Sequence, residues 1–119
     1  MQRIAITILL LTFSPVSAEN WDIEGFARCI ADSGAKYYGA HWCPKCAKQN
    51  AMFGSYARYL PYIECAQRGS RKQLARCRHI EGYPTWVFPN GRTLRGARSF
   101  DSLSQNTGCQ LQEKNYFID

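Results

Sequence analysis

Two cysteines stand three residues apart in Trp42-Cys43-Pro44-Lys45-Cys46, after an apolar stretch (Tyr37, Tyr38, Ala40, Trp42) and before a helical pattern. This order predicts a dithiol at a strand-to-helix junction, and the chemistry open to such a pair is reversible disulfide formation. At the cap of the following helix, Cys43 meets backbone N–H groups without intrahelical partners and the positive end of the helix dipole, both of which favour a thiolate. Pro44 suits the first helical position, which needs no N–H and a φ of about −65°. Lys45 adds positive charge beside the sulfur. Cys46 comes round one turn later, near enough to close a small disulfide ring.

Other uses of the pair are less consistent with its surroundings. A zinc ribbon needs a second short-spaced pair, whereas the next cysteines, Cys65 and Cys77, have eleven residues between them, and neither His41 nor His79 repairs the spacing. No metal site is assigned, and no cofactor motif is present. A purely structural disulfide in so tight a loop would restrict the unfolded chain little and contribute little stability.

The start of the chain bears on compartment. Met1-Gln2-Arg3 is a short basic opening, residues 4–13 are apolar residues and threonines, and Val16-Ser17-Ala18 matches a small-x-small cleavage pattern. Residues 1–18 are therefore expected to be a signal peptide and residues 19–119 one exported domain, in a periplasm, a thylakoid lumen or the secreted space. The apolar run is short for a bilayer span, which takes about 20 residues, and no later stretch approaches that length. In an oxidising compartment six cysteines can persist as disulfides. The remaining 100 or so residues suffice for one core and not two.

The formal charge is +6, with cations grouped at Arg68, Arg71, Lys72, Arg76 and Arg78 and again at Arg92, Arg95 and Arg98. Such clusters are compatible with anionic partners. Without a base-stacking motif they read as a solvated helix face and an exposed hairpin, so no nucleic-acid partner is expected.

Helix and strand patterns alternate along the chain. Residues 21–33 place Ile23, Phe26, Ala27 and Ile30 on one face, with Asn20 as N-cap and Gly34 as the stop. A strand is expected over 36–42. A helix is expected from Pro44 to about Arg58, burying Phe53, Tyr56, Ala57 and Leu60 and ended by Pro61. Residues 62–65 read as a strand and 71–79 as a helix. Residues 85–88 and 92–94 flank Pro89-Asn90-Gly91, a hairpin signal. A last helix starts near Phe100, capped by Ser99 and closed by Gly108. The order predicts an α/β domain with a mixed sheet of about four strands flanked by helices, parallel across the βαβ unit and antiparallel in the hairpin. Pro84, in Gly82-Tyr83-Pro84-Thr85, opens the third strand as a candidate for a cis peptide.

With these residues the chain resembles the thioredoxin superfamily, and more narrowly the thioredoxin-like domain fused to bacterial and plant homologues of vitamin K epoxide reductase. The resemblance runs from about Phe26 to Gly108. It is carried by Gly34-Ala35-Lys36, the run from Tyr38 to Cys46, Gln49, Phe53-Gly54, Pro61-Tyr62-Ile63-Glu64-Cys65, Cys77, and Ile80-Glu81-Gly82-Tyr83-Pro84-Thr85-Trp86. It implies a thiol-disulfide oxidoreductase in which Cys43 attacks, Cys46 resolves and Pro84 is the cis-proline beside them. Protein thiols or disulfides would be the substrates, aligned against backbone groups of Tyr83 by strand addition, with Trp42 shielding the sulfurs and Pro44 and Lys45 completing the site.

The chain also departs from its relatives. Lys45 stands where related domains often have histidine. Tyr37 occupies the position of thioredoxin's buried aspartate, six residues before Cys43, so a carboxylate is missing there. The membrane module that reoxidises the fused domain through quinone is absent, so such a partner is expected as a separate chain. Cys65 and Cys77 bracket a polar, basic segment and are assigned a structural disulfide worth about 3 kcal/mol, with a second redox relay as the alternative. Cys29 and Cys109 pair by parity alone, since six cysteines permit fifteen connectivities. Two other function classes fit the same residues, a non-catalytic binding module and a carrier of a soft ion such as Cu(I) on Cys43 and Cys46.

Overall fold

The computed structural model describes residues 4–9 and 20–114. The Val16-Ser17-Ala18 cleavage pattern and most of the predicted signal peptide lie outside the described residues. Among the described residues no helix is long and apolar enough to cross a membrane.

In chain order the elements are α1 (Ile23–Asp32), β1 (Lys36–Gly39), α2 (Pro44–Phe53), a 3₁₀ segment (Gly54–Tyr59), β2 (Tyr62–Glu64), a short 3₁₀ turn (Ala75–Cys77), β3 (Thr85–Val87), β4 (Thr93–Arg95) and α3 (Phe100–Thr107). One four-stranded sheet has the order β2-β1-β3-β4. β1 runs parallel to β2, with Tyr37 opposite Tyr62, and antiparallel to β3, with Tyr37 opposite Trp86. β3 and β4 form the hairpin, Trp86 opposite Leu94. This is the mixed α/β, thioredoxin-like fold expected from the element order.

Strand periodicity divides the interior in two. Tyr37 and Trp86, stacked at 4.5 Å between ring centroids, point into a core shared with Phe26, Ile30, Phe53, Phe88 and Leu103 from the helices and hairpin. Phe100 from α3 meets Phe26 and Phe53 edge-on at 5.6 and 5.1 Å, joining three helices through aromatic contacts. Tyr38, one residue on, enters a second cluster with Cys65, Cys77 and Ile80. Both faces of β1 are thus covered, which places its C-terminal end deep in the molecule.

Several boundaries differ from those the sequence predicts. β1 stops at Gly39 instead of Trp42, because the Cys43 N–H turns back to the Ala40 carbonyl (3.0 Å) and the chain bends toward α2. α2 stops at Phe53 instead of near Arg58: Gly54 takes φ 56°, and the chain tightens into the 3₁₀ segment. Phe53 and Leu60 are buried there, while Tyr56 and Ala57 are half-buried against the core. The expected helix over 71–79 is only the Ala75–Cys77 turn. Residues 66 and 73 pair as an antiparallel bridge, and the Leu74 N–H donates to the Cys65 carbonyl (2.7 Å), so the segment folds back on itself. The cap of α1 is Asp22, whose Oδ1 accepts from Gly25 N–H at 2.9 Å, and not Asn20, whose carbonyl accepts from Lys114 N–H. In the hairpin, Phe88 and Arg92 still pair, and Gly91, at φ 86°, closes the loop in the left-handed region. Ser99 and Gly108 cap α3 as expected.

Two disulfides fasten segments to the core. Cys65–Cys77 (Cα–Cα 5.4 Å) closes the 66–76 loop, and Cys29–Cys109 (5.9 Å) ties the exposed side of α1 to the C-terminal segment. The same two ends also meet through Asp22 N–H to Gln112 C=O at 2.8 Å.

Candidate active site

Cys43 is the N-cap of α2, with φ −84° and ψ 120°, and Pro44 is the first helical residue. The next turn of the helix is closed by Ala47 N–H to Cys43 C=O at 3.1 Å. Cys43 and Cys46 are both thiols, 8% and 2% exposed respectively. The sulfur nearer to solvent is therefore the one at the head of the helix. Together with Ala40 and Ala66 they form a small apolar cluster, against which Trp42 and Tyr83 pack.

The Cys43 thiol makes no hydrogen bond to the N–H groups of the first helical turn. It donates instead to the Tyr83 carbonyl at 3.6 Å. The Tyr83–Pro84 peptide is cis, and Pro84 is buried at the head of β3. The carbonyl expected to receive substrate thus accepts from the thiol in the reduced site. Trp42 lies edge-on to Tyr83, with 6.0 Å between ring centroids, and its indole N–H is buried without an acceptor among the described residues. Pro44 and Lys45 are exposed beside the dithiol.

Burial, above all, pushes the Cys46 thiol up to about 12; the adjacent Cys43 and the Glu64 carboxylate act in the same direction, while a backbone hydrogen bond at Ala40 opposes them. Cys46 is consequently held as a thiol at neutral pH. The backbone at Gly39 packs closely against this sulfur. A Cβ there would come within 2.5 Å of Tyr62 Cε2 and 3.2 Å of Cys46 Sγ, so only glycine lets β1 pass between the tyrosine and the sulfur.

Tyr37, at the position of thioredoxin's aspartate, points into the helix layer, where its hydroxyl donates to Asn50 Oδ1 (2.9 Å) and the Cys46 carbonyl (3.2 Å). It ties α2 to the sheet, and burial raises its phenol above the ordinary range, so it remains neutral. A carboxylate does stand nearby, at the end of β2. Glu64 Oε2 accepts from the N–H groups of His41 and Ala66, each at 3.2 Å, bracing the turn before Cys43. Gln49, fully buried on α2, accepts from Trp86 Nε1 (3.0 Å) and Arg98 N–H (2.6 Å) and donates to the Arg98 carbonyl (3.1 Å). The helix carrying the dithiol is thereby joined to β3 and to the segment after β4.

Glu64, Asn50 and Gln73 join the site without being marked as parts of it by the sequence. Their signals are polar residues at strand ends and on a buried helix face, and these acquire meaning only when a partner is known. Gln73 donates to the Tyr83 hydroxyl (2.9 Å) and the Ile80 carbonyl (2.9 Å), fixing the 66–78 segment against the residue before Pro84. Cys65 and Cys77, both fully buried, are disulfide-bonded behind this segment, whereas Cys29 and Cys109 are joined away from the dithiol cluster.

The fold and the site together define a thioredoxin-like domain with a dithiol at the head of its second helix. No family model matches the chain. It is similar to the thiol-disulfide oxidoreductase LTO1 of Arabidopsis thaliana, being 32% identical over an alignment 134 positions long, gaps included, that covers 93% of this chain and 35% of that protein. The chain thus spans about a third of the length of this relative. The likeness supports a protein of thiol-disulfide oxidoreductase type.

Proposed function

We propose that this protein exchanges disulfides with protein substrates in an exported compartment, with Cys43 as the attacking thiol and Cys46 as the resolving one. The observation that carries the reading is the asymmetry of the dithiol: Cys43 is at the helix cap, nearer to solvent, while Cys46 is buried one turn behind and held protonated.

In the oxidising direction a substrate thiolate attacks Cys43 Sγ of the Cys43–Cys46 disulfide. The sulfur–sulfur bond breaks and Cys46 leaves, taking up a proton. A second substrate thiolate attacks the substrate sulfur of the mixed disulfide and expels Cys43. Two electrons and two protons have passed from substrate to dithiol, and the substrate holds a new disulfide. In the reducing direction Cys43 attacks a substrate disulfide and Cys46 breaks the resulting mixed bond. With so high a proton affinity Cys46 is a slow leaving group as a thiolate, so it must gain a proton from solvent as it leaves in the first case, and its deprotonation is the step to be assisted in the second.

Export is supported by the basic-then-apolar start of the sequence and by two further disulfides besides the reactive pair. A membrane redox partner of the vitamin K epoxide reductase type belongs to the same reading and rests on the family resemblance. The test is trapping. A Cys46→Ala variant mixed with a disulfide-containing protein should accumulate a mixed disulfide at Cys43, located by peptide mapping, and a Cys43→Ala variant should form none. Failure of the reduced wild type to exchange with any disulfide, together with retention of one equivalent of Cu(I), would replace the oxidoreductase with the metal carrier.

A further inference from the structure

Segment 66–78 carries Arg68, Arg71, Lys72, Arg76 and Arg78, all exposed, and among the described residues none of them is ion-paired. Elsewhere Arg28 and Arg95 do have carboxylate partners, Glu24 and Glu81. These cations do not line one helix face, since Arg76 alone of them lies in a helical turn, Ala75–Cys77. They stand on a loop fixed against the dithiol. His41 Nε2 lies 3.1 and 3.0 Å from the carbonyls of Gln67 and Ser70, and the Arg71 guanidinium lies 4.9 Å from the centre of the Trp42 ring. Gln73 and the Cys65–Cys77 disulfide hold the far side.

Between this loop and the turn before Cys43 lies an open groove of about 480 Å³, whose walls include His41, Glu64, Ala66, Arg68, Leu74 and Arg76. Ala66 belongs equally to the cluster around Cys43 and Cys46, so the groove and the dithiol share a wall. Glu64 is the acidic residue of the groove, and its Oε2 is already turned to the N–H groups of His41 and Ala66. With Arg68 and Arg76 against the one carboxylate, the charge of the groove lining is on balance positive.

We propose that this groove and its basic rim select substrates, taking acidic polypeptide segments that flank the reactive cysteine or disulfide of the partner. The inference rests on the oxidoreductase reading and names the substrate class for that site. A rigid surface of uncompensated cations attracts such segments during encounter and repels basic ones, and salt weakens both effects. The apolar floor of Ala66 and Leu74 accepts the stems of the same side chains.

The test uses the full chain with the Cys29–Cys109 and Cys65–Cys77 disulfides intact and the dithiol reduced. Two peptides of equal length, each with one cysteine joined to thiopyridine, are flanked by Asp and Glu in one case and by Lys and Arg in the other. Each second-order rate is divided by that peptide's rate with dithiothreitol. At low salt the acidic peptide should react at least about tenfold faster, and the advantage should shrink to about threefold or less at 0.5 M salt. In an Arg68→Glu, Arg76→Glu double variant the preference should vanish or invert, while the rate with uncharged dithiodipyridine stays within about twofold of wild type. Equal normalised rates for the two peptides, or a preference that survives the double variant, would overturn the proposal. So would retention on single-stranded oligonucleotides without peptide discrimination, which would make the rim a nucleic-acid surface. A wild-type protein that does not react with dithiodipyridine would overturn the oxidoreductase reading itself, and this inference with it.

Discussion

In a Cys43→Ser variant Cys46 is left as the lone thiol of the site, and its alkylation should become fast only in strongly alkaline solution. An ordinary cysteine, with a pKa of about 8.5, is about 3% thiolate at pH 7. A thiol held at about 12 is about 10⁻⁵ thiolate, some 3,000-fold less, and it is the thiolate that alkylates. Removing Cys43 relieves two smaller contributions, its hydrogen bond and its charge, and leaves burial, the largest, in place. The assay is iodoacetamide labelling followed by mass spectrometry between pH 7 and 11. The logarithm of the rate should rise about one unit per pH unit without a plateau below about pH 10. A plateau near 8.5 would show that burial does not hold this proton, and the assignment of Cys46 as the protonated, resolving partner would fall. The same shift has a consequence for folding. Because the folded-state value is raised, the stability it contributes is complete below the ordinary thiol range and is lost as pH climbs toward 12, at about 1.4 kcal/mol per pH unit. Tyr37 and Tyr62 are shifted upward by burial too and add to alkaline unfolding, so the quantity to measure is the difference between the reduced wild type and a Cys46→Ala variant. The stability of the wild type minus that of the variant should fall above pH 9 by about 1.4 kcal/mol per pH unit, and a constant difference would refute the linkage.

Two further perturbations probe the scaffold. Gln49→Leu leaves the buried Trp86 indole N–H and the Arg98 N–H without their acceptor, so urea unfolding should show a loss of about 2–4 kcal/mol, and a loss below about 1 kcal/mol would contradict the bridging role. Removing Cys29–Cys109 by double serine substitution, with a sequence separation of 80, should cost about 4–5 kcal/mol, against about 3 kcal/mol for Cys65–Cys77 at a separation of 12; the reverse ranking would show that the loop-entropy account fails here.

Features governed by neighbours in the chain are legible in the amino-acid order itself. The apolar face of α1, the Ser99 and Gly108 caps of α3, the Asn90-Gly91 turn and the placement of Cys43 and Pro44 at the start of α2 each depend on residues a few positions apart. The departures have a common origin. Asn20 has the residue type of a cap for α1, but its carbonyl is paired with Lys114, far along the chain. The pattern after Phe53 remains helical in its apolar spacing, yet Gly54 switches the backbone into a tighter coil. Residues 71–79 contain good helix formers, and pairing with 65–66 together with the Cys65–Cys77 bond overrides that tendency.

The candidate site divides along the same line. Cys-Pro-Lys-Cys at a strand-to-helix junction is local chemistry, and its spacing alone announces a dithiol, because one helical turn sets the distance between the sulfurs. Which carbonyl receives the Cys43 proton, how completely Cys46 is desolvated, and that Glu64 braces the turn and a basic loop stands beside it all follow from contacts across the sheet. Burial and hydrogen-bond partners are properties of segments brought together from distant parts of the chain, and no neighbouring residue records them.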